Sequence, residues 1–236
     1  MIQFSYPEIL FEDNHILVCI KSPGILSQPN GKDLPDMLSL LKNYIKNKYN
    51  KPGDVYLGLV HRLDTNVGGV MVFAKTSKAA ARLSEAIRNH DFVKEYYAVL
   101  NADLPLNYAE NLTDFLVKNE IDKIGYITED EEQGKEASLD YKVIDKINRN
   151  GRILSFVSIR LNSGRFHQIR LQFSSRGWPL HGDRKYGGDL CKNQNELGLY
   201  AYRLSFPHPI TKEIISYEHY PNTPLFSLFF EKNSNR

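Results

Sequence analysis

The sequence predicts an α+β fold, with one domain built around a large mixed, mostly antiparallel β-sheet flanked by helices. Three observations point there. Short apolar or alternating runs recur along the 236 residues and read as strands. Two longer stretches between them carry apolar residues at helical spacing. No repeat, low-complexity tract or convincing linker divides the chain, so the domain is expected over residues 1–230, with 231–236 a disordered tail.

The elements follow in order. HILVCI (15–20) reads as a buried strand and KSPGILSQPNG (21–31) as a loop punctuated by Pro and Gly. Asp33 is placed to cap a helix from about Leu34 to Lys48, where Leu38, Leu41, Ile45 and Tyr49 share a face. VMVFAK (70–75) reads as a strand. Thr76 or Ser77 caps a helix over 77–90, with Leu83, Ala86, Ile87 and His90 along one side. VKEYYAVL (93–100) is another strand. Residues 101–135 are polar and read as irregular, with the acidic TEDEE (128–132) a solvated loop or hairpin tip because like charges repel. SLDYKVID and ILSFVSIRL (153–161) pair as strands around INRNG. In GRFHQIRLQFSSRG (164–177), Phe166, Ile169 and Phe173 fit a helix face that Gly177 can end.

Composition excludes more than it assigns. Hydrophobic content of 42% and charged content of 25% are ordinary for a packed domain, and a formal charge of +2 singles out no partner. Two cysteines make no disulfide framework and no C-x-x-C metal spacing, which fits a reducing, cytoplasmic location. The first residues, MIQFSYPEILFEDN, lack a signal-peptide pattern, and no apolar run is long enough to span a membrane.

Three stretches carry candidate chemistry. LVHRLDTNVGG (59–69) sets Asp64 between a basic pair and a glycine pair inside an apolar hairpin. Taken alone, Asp64 is a turn carboxylate paired with Arg62 or with a distant arginine. GRFHQIR (164–170) brackets a helix start with Arg165, His167 and Arg170. An arginine there can hold a carboxylate ionised or grip a phosphate, while the plain alternative is a solvated basic helix. In KEYYAVL a strand tyrosine either stacks on a planar ligand or fills the core. HGDRKYGG (181–188) reads as a Gly-rich turn with Asp183 capping and Tyr186 half-buried, whose Arg184 and Lys185 can reach phosphates.

Together LVHRLDTNVGGVMVFAKT, VKEYYAVL and SGRFHQIRLQFSSRGWPLHGDRKYGG resemble the successive motifs of the RluA-type pseudouridine synthases. EDNHILVCIKSPG resembles that family's opening strand and loop, and LYAYRLSFPHPITKE its closing strand. The resemblance runs in order from about residue 9 to 220. It implies the pseudouridine synthase fold with an active-site cleft, and an enzyme that isomerises uridine to pseudouridine in tRNA or ribosomal RNA. No cofactor, metal or obligate protein partner is implied; the expected state is a monomer without an S4-type domain. By the same resemblance Asp64 is the essential carboxylate, Tyr96 packs on the target base, and Arg165 is the ion-pair partner of Asp64. Ile169 lies on the base's other face. Arg62 contacts RNA, and His61, His167 and Arg170 complete the substrate-binding set.

Two departures stand out. Val67, Gly68 and Gly69 occupy positions where the family usually has Thr-Ser-Gly, and the opening loop reads Lys-Ser-Pro-Gly, its proline displaced by one. The first keeps open a catalytically degenerate RNA-binding module of the same fold. A hydrolase using Asp64 with His61 or His167 would need a second nearby aspartate, which Asp64-Thr65-Asn66 lacks. Residues 101–135 and 188–198 are the candidate stretches for choosing the RNA target; neither is strongly basic.

Overall fold

The computed structural model describes residues 6–31, 34–192 and 194–231. These form eleven strands and four α-helices in two compact units, Met1–Val93 with Ala201–Tyr220, and Lys94–Tyr200 with Pro221–Arg236. Among the described residues no helix is long and apolar enough to cross a membrane.

In the first unit the strands run in the order β1 (Ile9–Glu12), β2 (Ile16–Lys21), β4 (Gly68–Ala74), β10 (Leu199–Pro207). The short β3 (Gly58–Leu59) pairs with β4, and β11 (Ile214–Glu218) with β10. Every residue of β2 and β4 is buried, so these strands read as continuous apolar runs rather than alternating ones. They pair antiparallel from Ile16 opposite Ala74 to Lys21 opposite Gly69. Val18, Val70, Val72, Leu83, Phe92 and Phe206 pack one core beneath them.

Helix α1 (Met37–Lys48) buries Met37, Leu41 and Ile45. Its cap is Asp36, which accepts from Ser39 N at 2.9 Å; the expected cap Asp33 lies outside the described residues. The later start has a steric cause, because Leu34 precedes Pro35 and a residue before proline is pushed out of the helical region. Helix α2 (Ser77–Arg88) is capped by Thr76, as expected, with Oγ1 accepting from Ala79 N at 3.1 Å. It stops before His90, whose φ of 61° is left-handed and ends the turn.

In the second unit the order is β5 (Val93–Leu100), β9 (Arg152–Leu161), β8 (Lys135–Arg149), β6 (Ala109–Asn119), β7 (Ile124–Thr128). The β8–β9 hairpin turns through Asn150 and Gly151, both at positive φ, which suits Asn-Gly in a tight hairpin turn. Residues 101–135 are not irregular: they hold the β6–β7 hairpin. Only Leu112 and Leu116 of β6 are fully buried, and Asp114 points inward between them to an arginine and a glutamine, which hides the strand pattern. The acidic Glu129–Glu132 is an exposed turn, as its charge requires.

Two helices complete this unit. Helix α3 (Gln168–Ser174) buries Ile169 and Phe173, and Gly177 beyond it takes φ 75°. Helix α4 (Pro224–Phe230) stacks Phe229 on Phe156 with ring centroids 4.7 Å apart. The tail from 232 on lies outside the described residues.

Candidate active site

Asp64 sits half-buried on the loop joining β3 to β4, just after exposed Arg62 and buried Leu63. Val67 N donates to Asp64 O at 3.0 Å and closes a tight turn on the carboxylate residue. The loop is gripped on both sides of Asp64 by the stretch after β2. Ser27 Oγ donates to Leu63 O at 2.8 Å and accepts from Leu63 N at 3.1 Å. Gly24 N donates to Thr65 O at 2.8 Å. The fully buried Lys21 donates through Nζ to Thr65 O at 2.9 Å, Val67 O at 2.8 Å and Ser22 O at 3.2 Å.

These contacts account for Val67-Gly68 in place of hydroxyl residues. The brace is made to main-chain carbonyls, which any side chain leaves available, and Val67 is buried as an apolar peg. Gly69 is required for a separate reason. At φ 135°, a Cβ there would run into the Ala201 backbone of β10. Burial pushes the Lys21 ammonium down to about 7, and the Asp64 charge works against that fall.

His61 makes a main-chain contact within its own hairpin. Its Nε2 accepts from Val72 N at 3.1 Å, and its ring lies 5.4 Å from that of Phe92. The sequence stretch that supplies Asp64 therefore also ties its own loop to β4.

In the second unit, Tyr96 on β5 and Ile169 on α3 are both buried. Arg165 is exposed; its Nε donates to Glu136 O at 2.8 Å and its N–H to Gln168 Oε1 at 3.1 Å. Two buried glutamines one helical turn apart fix this segment. Gln168 Oε1 accepts from Ser163 Oγ at 2.8 Å, and Gln168 Nε2 donates to Ser138 O at 3.1 Å and Gln172 Oε1 at 3.0 Å. Gln172 Nε2 donates onward to Leu112 O, Ala137 O and Asp114 Oδ2. Sequence reasoning missed this pair, although polar residues four apart on an otherwise apolar helix face were its signal.

The helix expected within 164–177, its start bracketed by Arg165, His167 and Arg170, begins at Gln168 and leaves Phe166 outside it. His167 before it is left-handed at φ 51°, and α3 has seven residues. Arg170 is held by a carboxylate. Its Nε and one terminal nitrogen each lie 2.8 Å from an oxygen of Asp183, which is 1% exposed. Asp183 also accepts from Lys185 N and Tyr186 N. Burial acts to raise the Asp183 carboxyl, and Arg170 with the two N–H donors more than offsets it, leaving it below the usual carboxylate range. Tyr186 OH meets His167 Nδ1 at 2.7 Å and accepts from Gly125 N at 2.9 Å. HGDRKYG thus buttresses the His167–Arg170 segment, and Arg170 is placed as a support rather than as an open phosphate contact.

Comparison with known proteins agrees with this assembly of motifs. The family model described as RNA pseudouridylate synthase matches residues 15–175. An uncharacterised RNA pseudouridine synthase, YhcT, of Bacillus subtilis is 32% identical over 88% of this chain and 66% of its own length. The ribosomal large subunit pseudouridine synthase D of Yersinia pestis is 34% identical over 86% of this chain and 63% of its own. The dual-specificity RNA pseudouridine synthase RluA of Vibrio vulnificus is 31% identical over 86% and 79%. The chain thus spans about two thirds of the length of the first two relatives. The fold is that of human RNA pseudouridylate synthase domain containing 1, with a TM-score of 0.74 at 21% identity over 94% of this chain and 86% of that one. The chain belongs to the RNA pseudouridylate synthase family.

Proposed function

We propose that the chain is an RNA pseudouridine synthase acting on uridines of tRNA or ribosomal RNA, with Asp64 as its essential carboxylate. One observation carries the assignment of Asp64: its loop is gripped at Leu63, Thr65 and Val67 by Ser27, Gly24 and Lys21, while the carboxylate itself is left half-buried. Backbone fixed so heavily around one acid suits a group that must meet a reacting atom in a set geometry.

The reaction is an isomerisation. The C1′–N1 bond breaks, C1′ bonds to C5, the C5 proton leaves, and N1 gains a proton. A carboxylate opposite C1′ stabilises the positive charge that grows there, or bonds to C1′ and is later released. Arg165 is its counter-ion in the reacting complex. Tyr96 and Ile169 sandwich the uracil, and Arg62 meets the RNA backbone. Bringing a uridine out of folded RNA costs a few kcal/mol, which stacking and phosphate contacts offset. Both cysteines are buried free thiols, which suits a cytoplasmic enzyme.

The test maps pseudouridines across total RNA from cells lacking the protein, then restored with wild type or with Asp64→Ala. Loss of defined sites, restored by wild type alone, is expected. An unchanged map would remove the enzymatic reading and leave an RNA-binding module.

A further inference from the structure

Among the described residues, most lysines and arginines placed inside this protein are matched to acceptors. Lys21 has three carbonyls, Arg170 has Asp183, and Lys75 has Glu12. Lys94 of β5 is half-buried, and among the described residues its ammonium makes no hydrogen bond or ion pair. Burial alone acts on it, pushing it below the ordinary lysine range. A lysine ammonium on a folded face with no protein acceptor is open to an anion from outside the chain.

Its surroundings say which anion. Lys94 stands opposite Leu161 and Tyr96 opposite Ile159, so both project from one face of β5, about 7 Å apart along the strand. Tyr141, opposite Ile159 on β8, touches Phe173 of α3, which makes this the α3 side of the sheet. The Lys94 Nζ also lies against the Gly164–Arg165 turn, where a Cβ on Gly164 would come within 3.1 Å of it. The bare glycine leaves room for the ammonium beside the segment that carries Arg165. Among the described residues no carboxylate is paired with it.

We propose that Lys94 is the phosphate anchor of the substrate site, taking the phosphodiester beside the nucleotide whose base packs on Tyr96. This rests on the chain being an RNA-modifying enzyme and assigns one more contact within that function. A point-charge ammonium fits the task, since a single cation meets a single phosphate without demanding the planar geometry of arginine.

The first arm of the test needs no turnover. The full chain, with its lysines labelled for NMR, is titrated with uridine and with uridine 5′-monophosphate, and Lys94→Gln identifies the Lys94 resonance. The monophosphate is expected to move that resonance, raise the pH at which it ionises, and bind more tightly than uridine. Equal affinities with Lys94 unmoved would overturn the proposal. The second arm follows pseudouridine formation on RNA from cells lacking the protein. Lys94→Gln is expected to raise KM roughly tenfold and lower the salt slope by about one, with Lys94→Arg recovering most of the affinity. A loss confined to kcat would instead make Lys94 a proton-handling group and overturn the anchor. If wild type makes no pseudouridine, the enzymatic reading fails, while the monophosphate titration still decides the role of Lys94.

Discussion

Replacing Lys21 with methionine separates holding Asp64 in place from holding the fold together. The folded ammonium ionises at about 7 instead of 10.5, so keeping it charged inside the protein costs roughly 5 kcal/mol. Lys21→Met removes that cost and fills the space with an apolar chain of similar length. Against the gain, Val67 O and Ser22 O lose a donor, at about 1–3 kcal/mol each, while Thr65 O keeps Gly24 N. The two sides nearly cancel, so the urea midpoint near neutral pH is expected to move little. Activity is not so protected. With Val67 O of the Asp64 turn released and Thr65 O held by Gly24 N alone, kcat is expected to fall about a hundredfold, the scale of a misplacement near 1 Å. The pH dependence carries a definite sign. Below pH 7 both folded and unfolded chains hold the Lys21 proton. Between about 7 and 10.5 only the unfolded chain holds it, so wild type gains stability relative to Lys21→Met by about 1.4 kcal/mol per pH unit. Urea unfolding of both proteins from pH 6 to 10 reads this directly. A stability difference flat across that window, or a variant with full kcat, would refute the brace.

Other expected outcomes follow from the same contacts. Asp183→Asn leaves Arg170 buried beside a neutral amide and should cost about 3 kcal/mol in urea unfolding. Because the folded carboxyl lies below its ordinary 3.8, its stabilisation is present above that pH and is lost as acid carries the fold through the lowered value. Wild type and Asp183→Asn should therefore converge in stability toward low pH. Gly69→Ala drives a Cβ into the Ala201 backbone and should destabilise by more than about 3 kcal/mol, read as a lower urea midpoint or loss of soluble protein. An alanine variant of wild-type stability would mean that β10 moves away easily.

β2 and β4 were legible because burial on both faces leaves near-continuous apolar runs, and β9 because its Ile, Leu, Phe and Val residues outnumber the polar ones between them. Helix α2 was legible from Thr76 and its spaced apolar positions. The family motifs gave Asp64, Tyr96 and Arg165 as a set, though no single one of them demanded chemistry. What stayed hidden was the support. Lys21 ends an apolar run and looks like a strand-terminating surface residue; only the fold turns its ammonium under the Asp64 turn. Gln168 and Gln172 look like polar interruptions until their amides meet the edges of β6 and β8. Arg170 reads as a phosphate ligand because its carboxylate, Asp183, lies in a loop whose approach no local pattern announces. β6 escaped notice because Asp114 faces inward, where Gln172 and Arg176 satisfy it.

The most direct test of Asp64 is a side-by-side measurement on purified wild type and Asp64→Asn, using RNA from cells lacking the protein. Near-equal side-chain volume keeps the turn, so matched unfolding midpoints and matched RNA affinity are expected. Pseudouridine formation should nevertheless fall to background in Asp64→Asn. A variant that still forms pseudouridine at a wild-type rate would contradict an essential role for the carboxylate.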